Sequence, residues 1–339
     1  MKVTYLFGAG ASRNALPIVN EIPVRIHSVI ELLEREDMQL SDIEKYSDYQ
    51  ISISKKEVQA KLIEDLRWLL SNSENHASID TFAKKLYIRG NEEDLKRLKV
   101  SFSAYLAIEQ IIRSADIRYD SFFASILNDN YYDFPSNVRI LSWNYDVQFE
   151  KAFVEYSGQN ECSTNQSLLN VVTKFTRARI SKNGFCILKL NGTSNVVDEY
   201  GSRHYNFTPH FQNELSHSLL DSIVKNYSSL MLAKNIRVYS GLSFAWERYQ
   251  SDQNDIINMA KKETNDTDIL IVIGYSFPYF NREIDREIIK NMNSLSRVYF
   301  QSPDAEIIRE RFLSIRNDIE SQKLLVRHDV GQFLLPNEL

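Results

Sequence analysis

An α/β chain built on a Rossmann-like parallel sheet, with a helical insertion after its first strand, is what the 339-residue sequence predicts. Five short apolar runs bounded by turn residues recur along it, helical periodicity fills several of the gaps between them, and one long stretch is helical throughout. The runs are VTYLF at 3–7, VRILS at 138–142, CILKL at 186–190, ILIVI at 269–273 and RVYF at 297–300. Each is apolar on both faces, the signature of a strand covered on two sides, as in a doubly wound parallel sheet.

The first run ends in GAGAS, residues 8–12. Glycines there suit either a tight turn or a diphosphate brought against bare backbone at a helix start. A P-loop is excluded because no Gly-Lys-Ser/Thr follows, and the standard dinucleotide fingerprint is broken by Arg13. Residues 24–130 then show amphipathic helix patterns such as KKEVQAKLIEDLRWLLSN and FSAYLAIEQIIRSA. This predicts a helical insertion over 24–130 that caps the cleft, within a core of 1–23 and 131–339. Asp80, in SIDTFAKKL, is either a helix N-cap or a lid residue reaching the ligand.

After the second run comes WNYD, placing Asn144 and Asp146 at the sheet's carboxyl edge, with Asn144 an N-cap or a ligand contact. The third run leads into Asn191, Gly192, Thr193 and Ser194, the fourth into Gly274 and Ser276, and the fifth into Gln301. Small and amide side chains at so many strand ends suit a nucleotide cleft. The stretches 157–183 and 195–235, rich in Asn, Ser and Tyr, predict loops or a small cap holding His204 and His210. The run YSGLSFAWERYQ at 239–250 reads as core packing, adenine stacking or a subunit contact.

Composition narrows the function. Forty basic residues against 45 acidic ones, well mixed, give a net charge of −5 and no basic block, so no nucleic-acid partner is expected. No apolar run nears the roughly 20 residues of a membrane span. The start lacks a cleavable signal pattern, and a cytoplasmic location is expected. Cys162 and Cys186 stand alone, which argues against a disulfide framework or a structural zinc site.

Taken in order, GAGAS with ALP downstream, SWNYD, KLNG and IGYSFP resemble the sirtuin-like superfamily, and more specifically its bacterial branch that includes NAD-consuming effectors of anti-phage defence. The motifs span residue 5 to about 304, the insertion matching only through IDTFAKKLY. The resemblance implies NAD as substrate or ligand, with no metal. Gly8, Ala9, Gly10, Ala11 and Ser12 would hold the diphosphate. Asn144 would sit by the nicotinamide ribose and place a water, Asp146 would support that loop, and Gly192 and Thr193 would line the next one. Gly274 and Ser276 would contact the adenosine ribose and phosphate, and Gln301 would approach the adenosine. It also implies cleavage of NAD to nicotinamide and ADP-ribose, in a homo-oligomer or beside a partner defence subunit.

Two departures qualify the resemblance. Protein deacylases of the superfamily carry a four-cysteine zinc module that two lone cysteines cannot supply, so protein deacylation is not implied. Where the family has a catalytic histidine this chain has Asn191, and an amide does not titrate. A lost general base costs about 10²- to 10⁴-fold. The alternative implied is an impaired subunit that binds or senses NAD or ADP-ribose.

Overall fold

The structure, a computed structural model, describes residues 1–48, 51–173, 184–199, 203–231, 238–247, 255–337 and 339. In chain order the first elements are β1 (Val3–Phe7), α1 (Ile22–Glu34), the hairpin β2 (Lys45–Asp48) and β3 (Ile51–Ser54), α2 (Lys55–Glu74), α3 (Ile79–Ile88), α4 (Glu92–Ile111) and α5 (Ile117–Ile126). Next come β4 (Val138–Ser142), α6 (Gln148–Ala152), α7 (Val154–Ser157), α8 (Cys162–Leu168), β5 (Val171–Val172), β6 (Cys186–Lys189), β7 (Gly192–Glu199) and β8 (Arg203–Asn206). The last are α9 (His217–Met231), β9 (Val238–Leu242), α10 (Ile256–Glu263), β10 (Ile269–Ile273), α11 (Arg282–Lys290), β11 (Arg297–Gln301), α12 (Ala305–Leu313) and β12 (Leu324–Arg327).

All five predicted strands form, and they are parallel neighbours in one seven-stranded sheet of order β12-β11-β10-β1-β4-β6-β5. This is the Rossmann-like α/β architecture. Alternation along β1 explains why both faces are covered. Val3, Tyr5 and Phe7 face Tyr119, Phe122 and Phe123 of α5 and Phe149 of α6, while Leu6 faces the side occupied by Ile284 and Ile288 of α11 and Phe312 of α12. The sheet reverses direction of growth at β1, whose neighbours are β4 on one side and β10 on the other. Such a switch point opens a crevice at the carboxyl ends of the strands.

A second core joins α1, α2, α3 and α4 to α9. Ser54 and Glu57 form a reciprocal capping box at α2, and Asn91 accepts from the Asp94 amide at α4, which fixes where these helices start. α9 lies in the stretch read from sequence as loops; its Leu219, Leu220, Ile223, Val224 and Tyr227 form an apolar stripe at helical spacing that packs on α4 and α2. The same stretch supplies β8 and part of β7, which with β9 form an antiparallel sheet of order β8-β7-β9. No described helix is long and apolar enough to cross a membrane.

Candidate functional site

At the switch point the loops after β1 and β10 interlock. The Gly8 amide donates to the Ile273 carbonyl at 3.0 Å and the Gly10 amide to the Gly274 carbonyl at 3.0 Å. A Cβ on Gly10 would lie 2.9 Å from the Gly274 Cα, and one on Gly274, at φ +58°, would lie 2.4 Å from the Ala11 nitrogen. A Cβ on Gly8 would meet the Tyr275 Cα at 2.6 Å. The bare backbone is therefore required for one loop to nest in the other. Ala9 is at the exposed tip of the turn, Ala11 is buried, and the Ala11 amide closes the turn on the Gly8 carbonyl. From behind, the buried Arg118 guanidinium donates to the carbonyls of Gly10 and Ala11 while paired with Asp116 at 2.6 Å.

Ser12 turns toward the β4 loop. Its hydroxyl donates to the Asp146 carboxylate at 2.7 Å, and it lies 2.8 Å from the Tyr119 hydroxyl and 3.3 Å from the donating Asn144 amide nitrogen. Ser12, Asn144 and Asp146 thus form one buried cluster. Asn144 is not the helix cap. Val147 holds the N-cap position without a side-chain bond, and the Gln148 amide that opens α6 donates to the other oxygen of Asp146 at 3.2 Å. Buried Lys189 donates to the Asp146 carbonyl at 2.6 Å and steadies the loop from beneath.

Asn191 meets this loop from β6. Its amide nitrogen donates to the Tyr145 hydroxyl at 3.3 Å and to the Trp143 carbonyl at 3.4 Å, while its Oδ1 is buried with no hydrogen-bond partner. Gly192 has φ +69°, and a Cβ there would lie 2.0 Å from the Gly241 carbonyl oxygen, so its bareness serves the crossing of β9. Thr193 and Ser194 are fully buried and donate to the Tyr145 carbonyl.

Tyr145, between the two residues singled out from sequence, reaches across to the helical core. Its hydroxyl donates to the Asp80 carboxylate at 3.0 Å, and its ring meets Phe102 of α4 edge-on at 5.9 Å. Asp80 is not the N-cap of α3; Ser78 is, accepting from the Thr81 amide at 3.1 Å. Burial raises the Asp80 carboxyl above its usual range, opposed by the Tyr145 hydrogen bond. Burial together with the Asp80 charge drives the Tyr145 hydroxyl far up, so it remains a donor near neutral pH.

Beneath the same loops lies Asp285 of α11, which accepts from the Trp143 indole at 3.0 Å and the Tyr275 hydroxyl at 2.8 Å. Burial lifts its carboxyl to about 8. Neither Tyr145 nor Asp285 was singled out from sequence. The one usable signal for Tyr145 was its place inside SWNYD.

Two expected contacts stand apart from the cluster. Ser276 is exposed, with its carbonyl accepting from Arg311 at 2.8 Å. The Gln301 side chain is occupied by the C-terminal segment: its nitrogen donates to the carbonyls of Asp329 and Gln332, both at 2.6 Å, and its oxygen accepts from the Leu334 amide at 2.9 Å. Its side-chain amide thus anchors the 329–334 segment. His210 is exposed and bridges through its backbone to Glu161, and the His204 side chain lies outside the described residues. In YSGLSFAWERYQ, residues 239–247 have described backbone, and Phe244 and Trp246 stack at 5.2 Å against the helical core; 248–250 lie outside the described residues.

The cluster is closed over: Asn144, Asn191 and Ser12 are 6%, 3% and 1% exposed. A cavity of about 200 Å³ opens nearby between Val19–Pro23 and Ser73–Ile79, the last two of its lining residues immediately preceding Asp80. It is smaller than the roughly 300–1,000 Å³ of ordinary ligand pockets. Among the described residues no group of three or more His, Cys, Asp and Glu side chains is arranged to hold a metal ion.

No protein-family model and no curated protein matches the sequence. Among solved structures the chain is similar to a Sir2 homologue in complex with NAD, at 11% identity and a TM-score of 0.41, over 94% of this chain and 90% of that one. It is also similar to a triple mutant of Sir2 homologues in complex with 2′-O-acetyl ADP ribose, at 12% identity and a TM-score of 0.39, over 94% of each chain.

Proposed function

We propose that the chain binds NAD at the carboxyl edge of its parallel sheet and hydrolyses it to nicotinamide and ADP-ribose, in the setting of bacterial anti-phage defence that its motifs suggest. The observation that carries this reading is the buried polar cluster of Ser12, Asn144 and Asp146, joined through Trp143 and Tyr145 of the same loop to Asn191, which holds an unsatisfied acceptor. A buried acceptor without a donor is costly, and a ligand hydroxyl would relieve that cost. Asn144, tied to Ser12, would place the attacking water beside the nicotinamide ribose, and Asp146, bonded on both oxygens, would hold the loop in register. Fixed dipoles of this kind stabilise the positive charge that builds on the ribose as nicotinamide leaves. Because the cluster is covered, nucleotide entry requires the loops around it to open.

Nicotinamide release from NAD by the purified protein tests the reading. Asn144→Ala should lower release by at least about 100-fold with the fold intact; unchanged release overturns the assignment. A second reading, a subunit that senses NAD or ADP-ribose without turning it over, is favoured by Asn191 and by the Gly8, Gly10 and Ala11 amides already bonded within the protein. It predicts a thermal shift with ADP-ribose, no nicotinamide release, and a gain of release in Asn191→His.

A further inference from the structure

Hydrolysis leaves one need that Asn191 cannot meet, a group that takes a proton. Resting on the hydrolase reading, we propose that Asp80 is the general base of the site, tethered to it by the Tyr145 hydroxyl. Water attacks C1′ of the nicotinamide ribose as the C1′–N bond breaks. Nicotinamide leaves as a neutral molecule with the bonding electron pair. One proton of the water passes to the Asp80 carboxylate and then to solvent, and the remaining O–H stays on ADP-ribose.

The geometry supports this by position and by elimination. Tyr145 donates to Asp80 and accepts from Asn191, so the carboxylate lies within two hydrogen-bond lengths of the amide whose oxygen lacks a partner. The Tyr145 hydroxyl thus joins Asp80 to the residue that carries the open acceptor. Asp80 opens the first turn of α3, where backbone amides favour its ionised form. Among the described residues no lysine or arginine forms an ion pair with it. The groups that face it are the hydroxyls of Tyr145 and, more distantly, Tyr275, both neutral near pH 7.

The other carboxyls at the site are unsuited. Both oxygens of Asp146 are occupied by Ser12 and the Gln148 amide. Asp285 is buried below the loops, between Trp143 and Tyr275, and holds its proton at pH 7. Both ring nitrogens of His76 are engaged, by the Asn72 carbonyl and by Lys85. Burial brings the carboxyl closer to neutral pH than an exposed aspartate, which improves a general base.

The test follows nicotinamide release from pH 5 to 9 alongside calorimetric binding of ADP-ribose. Asp80→Asn should lower kcat about 10²- to 10⁴-fold, leave ADP-ribose affinity within about threefold, and remove the acidic limb of the pH profile. Formate should restore part of the rate to Asp80→Gly. Tyr145→Phe removes a bond that favours the charged carboxylate, so its acidic limb should move to higher pH. This variant keeps the question answerable if Asp80→Asn fails to fold. A kcat for Asp80→Asn within threefold of the parent overturns the proposal while the hydrolase reading stands. Loss of ADP-ribose affinity in step with rate also overturns it, since Asp80 would then be holding ligand. Absence of release from the parent protein overturns the hydrolase reading and Asp80 with it.

Discussion

Replacing Asp285 with asparagine should change how the protein's stability responds to pH. The carboxyl is 2% exposed, and its hydrogen-bond donors among the described residues, Trp143 and Tyr275, are neutral. Burial raises it from 3.8 to about 8. Between pH 4 and pH 8 the folded protein therefore keeps a proton that the unfolded chain has released. Each pH unit in that window lowers stability by about 1.4 kcal/mol, because the folded state binds one proton more. Across the window the loss from this group approaches about 5 kcal/mol, and it is complete once the folded carboxyl ionises near pH 8. Asp80, Glu109 and Glu150 are also raised and contribute in the same direction, so the difference between parent and variant isolates Asp285. An amide cannot ionise, and the cost of refitting it against Trp143 and Tyr275, about 1–3 kcal/mol, is independent of pH. Urea unfolding from pH 5 to 8.5 should show the Asp285→Asn curve flattening relative to the parent, with the two converging or crossing at alkaline pH. Parallel curves would refute the reasoning, since they would mean that the carboxyl ionises in the folded state as it does in the unfolded chain.

Other expectations concern the loops around the site. Gly274→Ala forces a side chain at φ +58° into the Ala11 nitrogen and should cost roughly 2–4 kcal/mol in chemical denaturation; a cost below 1 kcal/mol would show that the two loops are not locked together. Gln301→Ala orphans the Leu334 amide and two carbonyls, and hydrogen exchange of residues 329–334 should quicken at least about tenfold with protection in β1 and β4 unchanged. If exchange there stays at the parent rate, the Gln301 side chain is not what holds that segment.

The central strands were legible because each is an apolar run short enough for a strand and flanked by turn residues. β12 escaped notice because LLVR ends in charge, and β5 because two residues carry no pattern. In α9 the cue was present but diluted: serines and asparagines lower helix propensity, while the apolar stripe that decides the matter gains its meaning only from α4 and α2 beneath it. SWNYD and LKLNG, visible from sequence alone, mark two loops that the structure brings together. The glycines were recognisable as special, yet their reason was not, because it depends on β10 lying next to β1. The partners of Gln301 were hidden for a similar cause: they lie about 30 residues further on, in a segment with no periodic signal. Asp80 was noticed for the right helix end and the wrong local duty, Ser78 standing two residues earlier with the better geometry for a cap.

The interlocked glycine turns also set a timetable for synthesis. β1 is the middle strand of the sheet, and β10, which lies beside it, follows far along the chain: the Lys2 amide donates to the Asp268 carboxylate across 266 residues. Until ILIVI emerges, the turn after VTYLF has nothing to nest against and no cleft exists around it. A chain made only as far as β9 therefore lacks the loop against which the first glycine turn is packed.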